Sequence, residues 1–413
     1  MNIYFSGIGG VGIGPLAEIA LDAGYNIAGS DTTEGLMTSR LKTRGVDVEI
    51  GQNGSFLRSK HQEQPIDWFV YTAALPHNHP ELIAAQELGI KTAKRDELLA
   101  YIISEKNLKL IAIAGTHGKT TTTGMMVWAL KQLGVPVSYS IGTTLSWGPS
   151  GFYDPKSKYF VYECDEFDRN FLHFKPYLSL ITSVEHDHPD TYPTEAEYFA
   201  AFGQFINQSA HSIAWKDNLG FAIPNQSTWL LGSNEVSQLR IPGQHNRQNA
   251  TLVEKGIEYL RLPSASQALE QFPGTNRRFE KLDDKIYSDY GHTPTEITAT
   301  LQMAKEIWSP VALVYQPHQN IRQHEILNQY TNAVFASADQ IYWLPTYLSR
   351  EDPALETLSP EQLTANLNPG NMHISKLNDE LWQTIVALQQ NGYLVLCMGA
   401  GDIDGWLRRQ LGS

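Results

Sequence analysis

Short apolar runs that end in glycine or in an acid alternate with helix-compatible stretches along this chain. Ile3–Phe5 leads into Gly7-Ile8-Gly9-Gly10-Val11-Gly12, after which Leu16, Ile19, Ala20 and Leu21 recur at helical spacing. Tyr25–Ala28 reads as a second strand ending at Gly29-Ser30-Asp31, and Trp68–Tyr71 as another, just ahead of Thr72-Ala73-Ala74. A second series opens with a strand at Lys109 and runs through a glycine-bounded turn into a helix carrying Met125, Trp128 and Leu130. Tyr159–Tyr162, ending at Glu163, and Leu178–Thr182, ending near Glu185, continue it. The third series has strands around Ile286–Ser288, Val311–Tyr315, Gln340–Leu344 and Leu394–Met398. Strands alternating with helices predict an α/β protein with mostly parallel sheets, whose ligands gather at the carboxyl ends of strands. The charged stretch Ser104–Asn107 and the proline-glycine break at Gln271–Gly274 divide the chain into three expected domains, residues 1–107, 108–273 and 274–413.

Composition narrows the partners. The chain has 413 residues, more than one core usually serves, and a formal net charge of −13. That charge argues against nucleic acid, because no basic surplus exists to displace counterions from a phosphate backbone. Small anions remain compatible, since a local pocket can oppose the global sign. The two cysteines, Cys164 and Cys397, lie in no metal-ligand spacing and fit a reduced, cytoplasmic compartment. The start Met1-Asn2-Ile3-Tyr4-Phe5 is too soon interrupted by glycine to read as a signal peptide. No apolar run approaches the roughly 18 residues that a membrane span needs.

The densest chemistry lies in Ala114-Gly115-Thr116-His117-Gly118-Lys119-Thr120-Thr121. An apolar strand, a glycine-bounded turn, Lys-Thr and a helix form the layout of a phosphate-binding loop. Backbone N–H groups and the helix N-terminus face an anion, the lysine reaches the terminal phosphates, and Thr120 stands where a hydroxyl would hold Mg²⁺. The longer G-x-x-x-x-G-K-[ST] pattern fails, because Ile113 occupies the place of its first glycine. At the N-terminus, Gly7, Gly9 and Gly12 satisfy G-x-G-x-x-G, with Asp31 19 residues beyond Gly12. That pattern favours any diphosphate: NAD and a UDP-sugar present the same group, and the glycines alone do not choose between them. The loop at Lys119 speaks against a dehydrogenase, which has no need of ATP.

These motifs, in this order, resemble those of the Mur ligases, the ATP-dependent amide-forming enzymes of peptidoglycan precursor synthesis. The resemblance runs nearly end to end. It adds Glu163-Cys164-Asp165-Glu166-Phe167-Asp168, Glu185 through Tyr192, Pro242-Gly243-Gln244-His245-Asn246-Arg247-Gln248-Asn249-Ala250, Gly274 through Phe279, Asp289 through Glu296, Gln316-Pro317-His318 and Gly399-Ala400-Gly401. It implies a Rossmann-like UDP-binding domain, a central P-loop ATPase-type domain and a C-terminal Rossmann-like domain. Within the family the chain is most similar to the branch that joins L-alanine to UDP-N-acetylmuramate through an acyl phosphate. The branch that attaches a recycled tripeptide, and a nucleotide-binding relative without ligase activity, are the alternatives.

Site residues follow from the same resemblance. Gly9, Gly10, Val11, Gly12, Ser30, Asp31, Thr72 and Ala73 would bind the UDP-sugar. Gly115, Thr116, His117, Gly118, Lys119, Thr120 and Thr121 would hold the ATP phosphates, His245, Asn246 and Asn249 the adenine and Asp289 the ribose, with Arg278 also among the ATP-binding residues. Thr120, Glu163 and His188 would hold Mg²⁺, while Lys119, His188, His292 and Arg322 would serve the reaction itself.

Three departures stand out. Thr293 replaces the second histidine of the usual H-H-P-T-E, and Gln319 replaces the first arginine after Gln316-Pro317-His318, leaving Arg322. The middle domain is also short between Phe205 and Pro242. No lysine lies between His188 and Lys216, so a carbamylated lysine ligand is not expected.

Overall fold

The computed structural model describes residues 1–72, 75–188, 191–219, 227–349 and 351–412. Three sheets follow one another along the chain. The first contains β1 (Asn2–Ser6), β2 (Asn26–Asp31), β3 (Asp47–Ile50), β4 (Trp68–Tyr71) and β5 (Lys91–Lys94), all parallel, in the order β3-β2-β1-β4-β5. The order reverses at β1, so the glycine turn that follows it opens at the crevice where such sheets bind ligands. β2 runs further than the sequence suggests, taking in Gly29 and Ser30. A side chain at Gly29 would come within 2.4 Å of the Phe5 carbonyl, so this glycine serves a close strand approach and not a turn.

The second sheet holds β6 (Lys109–Ala114), β7 (Val137–Ser140), β8 (Gly151–Phe152), β9 (Tyr159–Glu163), β10 (Leu178–Ile181), β11 (Ser212–Trp215) and β12 (Thr228–Leu231). Their order is β12-β11-β10-β6-β9-β7-β8, parallel except for the β7–β8 pair. One hydrophobic core serves both sheets: Ile3, Phe5 and Leu16 belong to the same cluster as Ile102, Ala112, Phe160 and Phe171. Residues Met1–Ser237 and Asn249–Pro273 accordingly form one compact unit. The expected linker at Ser104–Asn107 is not a spacer. Ser104 and Glu105 end the helix Arg95–Glu105, whose Ile102 and Ile103 are buried in that core.

The second unit comprises Gln238–Gln248 and the chain from Gly274 onward. Its sheet contains β13 (Glu280–Asp283), β14 (Ile286–Asp289), β15 (Val311–Tyr315), β16 (Gln340–Trp343), β17 (Met372–Ile374) and β18 (Leu394–Met398). The order is β13-β14-β18-β15-β16-β17, antiparallel only between β13 and β14. Strand periodicity sorts the two faces: Val311, Leu313 and Tyr315 pack with Leu301 and Trp343, while Ala312 and Val314 pack with Ile385 and Trp406. Among the described residues, no helix is long and apolar enough to cross a membrane.

Candidate functional site

The glycine loop after β1 is held by β2. Gly7 adopts φ 76°, and the Gly7 and Ile8 N–H groups both donate to the Ser30 carbonyl at 2.9 Å. The Gly9 N–H donates to Asp31 Oδ2 at 2.8 Å, and a side chain at Gly9 would collide with Thr38 at 2.7 Å. Gly10 and Gly12 complete the turn, and Val11 is 91 % exposed. The Ser30 hydroxyl is buried and donates to Glu81 Oε2 at 2.8 Å, as the Ser6 hydroxyl does at 2.6 Å. Ser30 therefore offers the loop its carbonyl and keeps its hydroxyl for the interior. Thr72 follows β4 at the same edge, whereas Ala73 lies outside the described residues.

The phosphate loop is fixed by the segment after β10. The Thr116 N–H donates to the Ser183 carbonyl at 2.9 Å, the His117 N–H to Ser183 Oγ at 2.9 Å, and the Thr182 hydroxyl to the His117 carbonyl at 2.5 Å. A side chain at Gly115 (φ 138°) would meet Thr182 Oγ1 at 2.2 Å, so only glycine fits. Gly118 (φ 83°) starts the helix Lys119–Gln132, whose first N–H groups are the donors an anion would use. Asn249 packs against this glycine, its Oδ1 2.9 Å from where a Gly118 Cβ would stand. Thr121 is half-buried one position beyond Thr120.

Acids surround the loop. Lys119 Nζ donates to the Gly115 carbonyl at 2.5 Å and to Glu166 Oε2 at 2.8 Å. Burial pulls the Lys119 pKa down, but the Glu166 and Asp165 carboxylates outweigh it and keep the ammonium charged. The Thr120 hydroxyl donates to Glu163 Oε1 at 2.8 Å, and the Gly142 N–H to Glu163 Oε2 at 2.9 Å. Glu163 therefore ends its strand facing the loop and caps no helix. Asp165, Glu166 and His188 each place one donor atom within 4.8 Å of the others. His188 adopts φ 58°, and Asp168 and Arg169 adopt 53° and 57°. Three non-glycine residues in left-handed conformations within this one region mark it as strained. Glu166 and Asp165 carried no role in the sequence reading; the repeated acids of Glu163–Asp168 were the available signal.

The remaining candidates fall in the second unit. Asp289 ends β14 fully enclosed, accepting from the Gly291 N–H at 2.7 Å and the Phe279 N–H at 2.8 Å. Burial pushes its pKa up to about 6, against the pull of Arg278. The Arg278 guanidinium lies 5.1 Å from the Tyr290 ring centre. His292 Nε2 is 3.2 Å from Arg322 Nη1, so these two come together. Thr293 caps the helix Pro294–Ile307 in a reciprocal box with Glu296, which gives the residue at that departure a structural use. Gln319 takes φ 61° and begins the helix Asn320–Ile326, whose first N–H groups donate to Glu351. His245 and Asn246 sit at the start of the helix Gln244–Tyr259. Burial holds His245 down to about 4, and its Nδ1 is enclosed with no hydrogen-bond partner among the described residues. Asn246 donates to Met303 Sδ at 3.2 Å.

Comparison with known proteins fits this geometry. Residues 2–107 match the Mur ligase family catalytic domain, 113–227 the Mur ligase middle domain, and 277–401 the Mur ligase glutamate ligase domain. The UDP-N-acetylmuramate–L-alanine ligase of Carboxydothermus hydrogenoformans is 32% identical, over 98% of this chain and 95% of that protein. The protein of the same name from Clostridium novyi is 31% identical, over 97% and 95%. Among solved structures, the UDP-N-acetylmuramate–alanine ligase of Thermotoga maritima superposes with a TM-score of 0.76 at 23% identity, covering 100% of this chain and 98% of that one. A murein peptide ligase from Psychrobacter arcticus gives 0.63 at 23% identity, with the same coverage. Phosphate loop, fold and matches together define an ATP-dependent, amide-bond-forming ligase. The chain belongs to the Mur ligase family.

Proposed function

We propose that this enzyme joins L-alanine to the carboxylate of UDP-N-acetylmuramate, in the cytoplasm, as a step of peptidoglycan precursor synthesis. The γ-phosphoryl group of ATP passes to a carboxylate oxygen, giving an acyl phosphate and ADP. The alanine amine then attacks the carbonyl carbon, the C–N bond forms, phosphate departs, and the amine loses a proton. Residues 1–107 present the UDP-sugar through Gly9, Gly10, Val11, Gly12, Asp31, Thr72 and Ala73. Residues 108–273 hold ATP, and residues 274–413 serve the ribose and the amino acid.

The observation that carries this reading is Lys119, charged and poised in a glycine-shaped loop at a helix start, with Thr120 and Glu163 paired beside it. Lys119 stabilises charge on the β- and γ-phosphates as the bridging bond loosens. Gly115 through Thr121 supply the backbone donors and Asn249 packs against their turn. The enclosed Nδ1 of His245, without a partner among the described residues, suits a base edge, with Asn246 beside it. Asp289 accepts from the ribose hydroxyls with Arg278 alongside, and His292 and Arg322 face the amino acid.

Thr120 and Glu163 offer hard oxygen donors side by side, and Asp165, Glu166 and His188 a second group, so the residues fit Mg²⁺. Bound there, Mg²⁺ would neutralise phosphate charge and polarise the transferred group. The chain's own groups do the rest: Glu163 orients Thr120, and Glu166 holds Lys119 until phosphates replace it.

The test is phosphate release from ATP and Mg²⁺ with UDP-N-acetylmuramate, comparing L-alanine, L-serine, glycine and the recycled tripeptide. Release driven by L-alanine is the expected result. Release with the tripeptide alone would move the chain to the recycling branch, and none with any acceptor would leave a nucleotide-binding relative.

A further inference from the structure

Beside the phosphate loop lies a cavity lined by Gly12 of the glycine loop, Arg95, Lys119, Tyr162, Glu163 and Asp165. It joins the two nucleotide-binding elements of the first unit, and Arg95 is its one cation without a role so far. Arg95 opens the helix Arg95–Glu105 and is tethered by the buried Asp96, with Nε 3.3 Å and Nη2 3.2 Å from Oδ2. The other oxygen of Asp96 accepts from the Tyr162 hydroxyl, one residue before Glu163. Nη1 makes no hydrogen bond to any described residue. It sits over the glycine loop, 3.1 Å from where a Cβ on Gly12 would stand, so that the last glycine of the loop clears room for it. The side chain remains 31 % exposed.

The neighbouring cation differs. Lys119 is already engaged by Glu166 and, in the reading above, by the ATP phosphates. Arg95 thus has a fixed orientation, a free donor and a place between the loop that would carry the UDP-sugar and the loop that would carry ATP. An acid group on the first substrate must lie between these loops to receive phosphate. Arginine suits this task because its charge is permanent and its donors bind carboxylate directionally.

We propose that Arg95 binds the carboxylate of the UDP-sugar acid and aligns it for phosphoryl transfer, with Asp96 and Tyr162 as positioning residues. This rests on the ligase reading above. UDP-N-acetylglucosamine, which is UDP-N-acetylmuramate without the lactyl acid, supplies the probe. By calorimetry, the wild-type protein is expected to bind the acid-bearing sugar about tenfold or more tightly than the plain one. Arg95→Ala should bring the two affinities within about twofold while ADP binding stays unchanged, and Arg95→Lys should fall between. Tyr162→Phe, which frees Asp96, should lose part of the preference and none of the affinity for the plain sugar.

Should Arg95→Ala fail to fold, Arg95→Gln keeps most of the side chain and must show the same loss of preference. A preference that survives in Arg95→Ala or Arg95→Gln overturns the assignment and leaves the ligase reading standing. Equal loss of ADP binding would overturn it too, by showing a general structural role. A wild-type protein that binds neither sugar removes the ligase reading itself, and this assignment with it.

Discussion

Lys119 Nζ donates to both carboxylate oxygens of Glu166, at 3.0 and 2.8 Å, and also to the Gly115 carbonyl of its own loop. The lysine is therefore folded back over the turn of its own loop. Burial raises the Glu166 pKa, and the Lys119 ammonium beside it opposes that rise. Lys119→Ala should lower turnover by roughly 10²-fold or more, because charge developing on the leaving phosphate loses its nearest cation. Phosphate release under saturating substrates reads this directly, and near-normal turnover would mean the loop is misassigned.

Thr120 and Glu163 make a separate prediction about metal dependence. Their 2.8 Å contact places a hydroxyl and a carboxylate where one cation could take both. Glu163→Gln removes the charge and keeps the shape, so the Mg²⁺ concentration for half-maximal activity should rise about tenfold or more. Thr120→Val should shift it less. A Mg²⁺ titration that overlays the wild type for Glu163→Gln would place the metal elsewhere, with Asp165, Glu166 and His188 the next group to vary.

What the sequence reveals follows from how locally each feature is encoded. β6, the loop at Gly115–Thr121 and its helix are consecutive, and an apolar run, two glycines and a lysine announce all three. β3, β13 and β17 are edge strands of only four, four and three residues, with Asp47, Glu49, Glu280, Lys281 and His373 among them, too short and too polar for an apolar run to mark them. Arg95 and Asp96 read as an ordinary charged helix start. Only tertiary packing turns Asp96 inward against Tyr162 and leaves the guanidinium at a cavity. Glu81 is hidden for the same reason. It looks like a first-turn helix acid, but it gathers the hydroxyls of Tyr4, Ser6 and Ser30 beneath the glycine loop.

His245 gives a pH prediction. Burial is the main cause of its depressed pKa; Glu306 pulls it up and Arg247 pushes it further down. With the folded value near 4 and an unfolded value of about 6.5, the unfolded chain binds more protons between these limits. Stability contributed by neutral His245 is thus fully present above about pH 6.5 and is lost as pH falls toward 4, by up to about 3 kcal/mol. Denaturant unfolding of the wild type and His245→Gln across pH 4 to 7 isolates this slope. The difference between the two curves should grow with pH over that window and be flat above it.

Glu351 holds the turn that contains Gln319. Its carboxylate accepts from the Asn320 N–H at 3.0 Å, the Ile321 N–H at 3.2 Å and the Ser349 N–H at 2.8 Å. It satisfies the first donors of the helix Asn320–Ile326, which has no side-chain cap of its own and begins at the unfavourable Gln319 backbone angle of φ 61°. Glu351→Ala should cost about 1–2 kcal/mol, the range for a lost helix cap with a charge at the N-terminus. Glu351→Gln should recover part of this, because an amide oxygen still accepts. The same helix carries Arg322, 3.2 Å from His292, so loosening it should raise KM for L-alanine more than KM for ATP. If Glu351→Ala lowers stability but leaves both KM values in their wild-type ratio, the helix is structural and Arg322 does not face the amino acid.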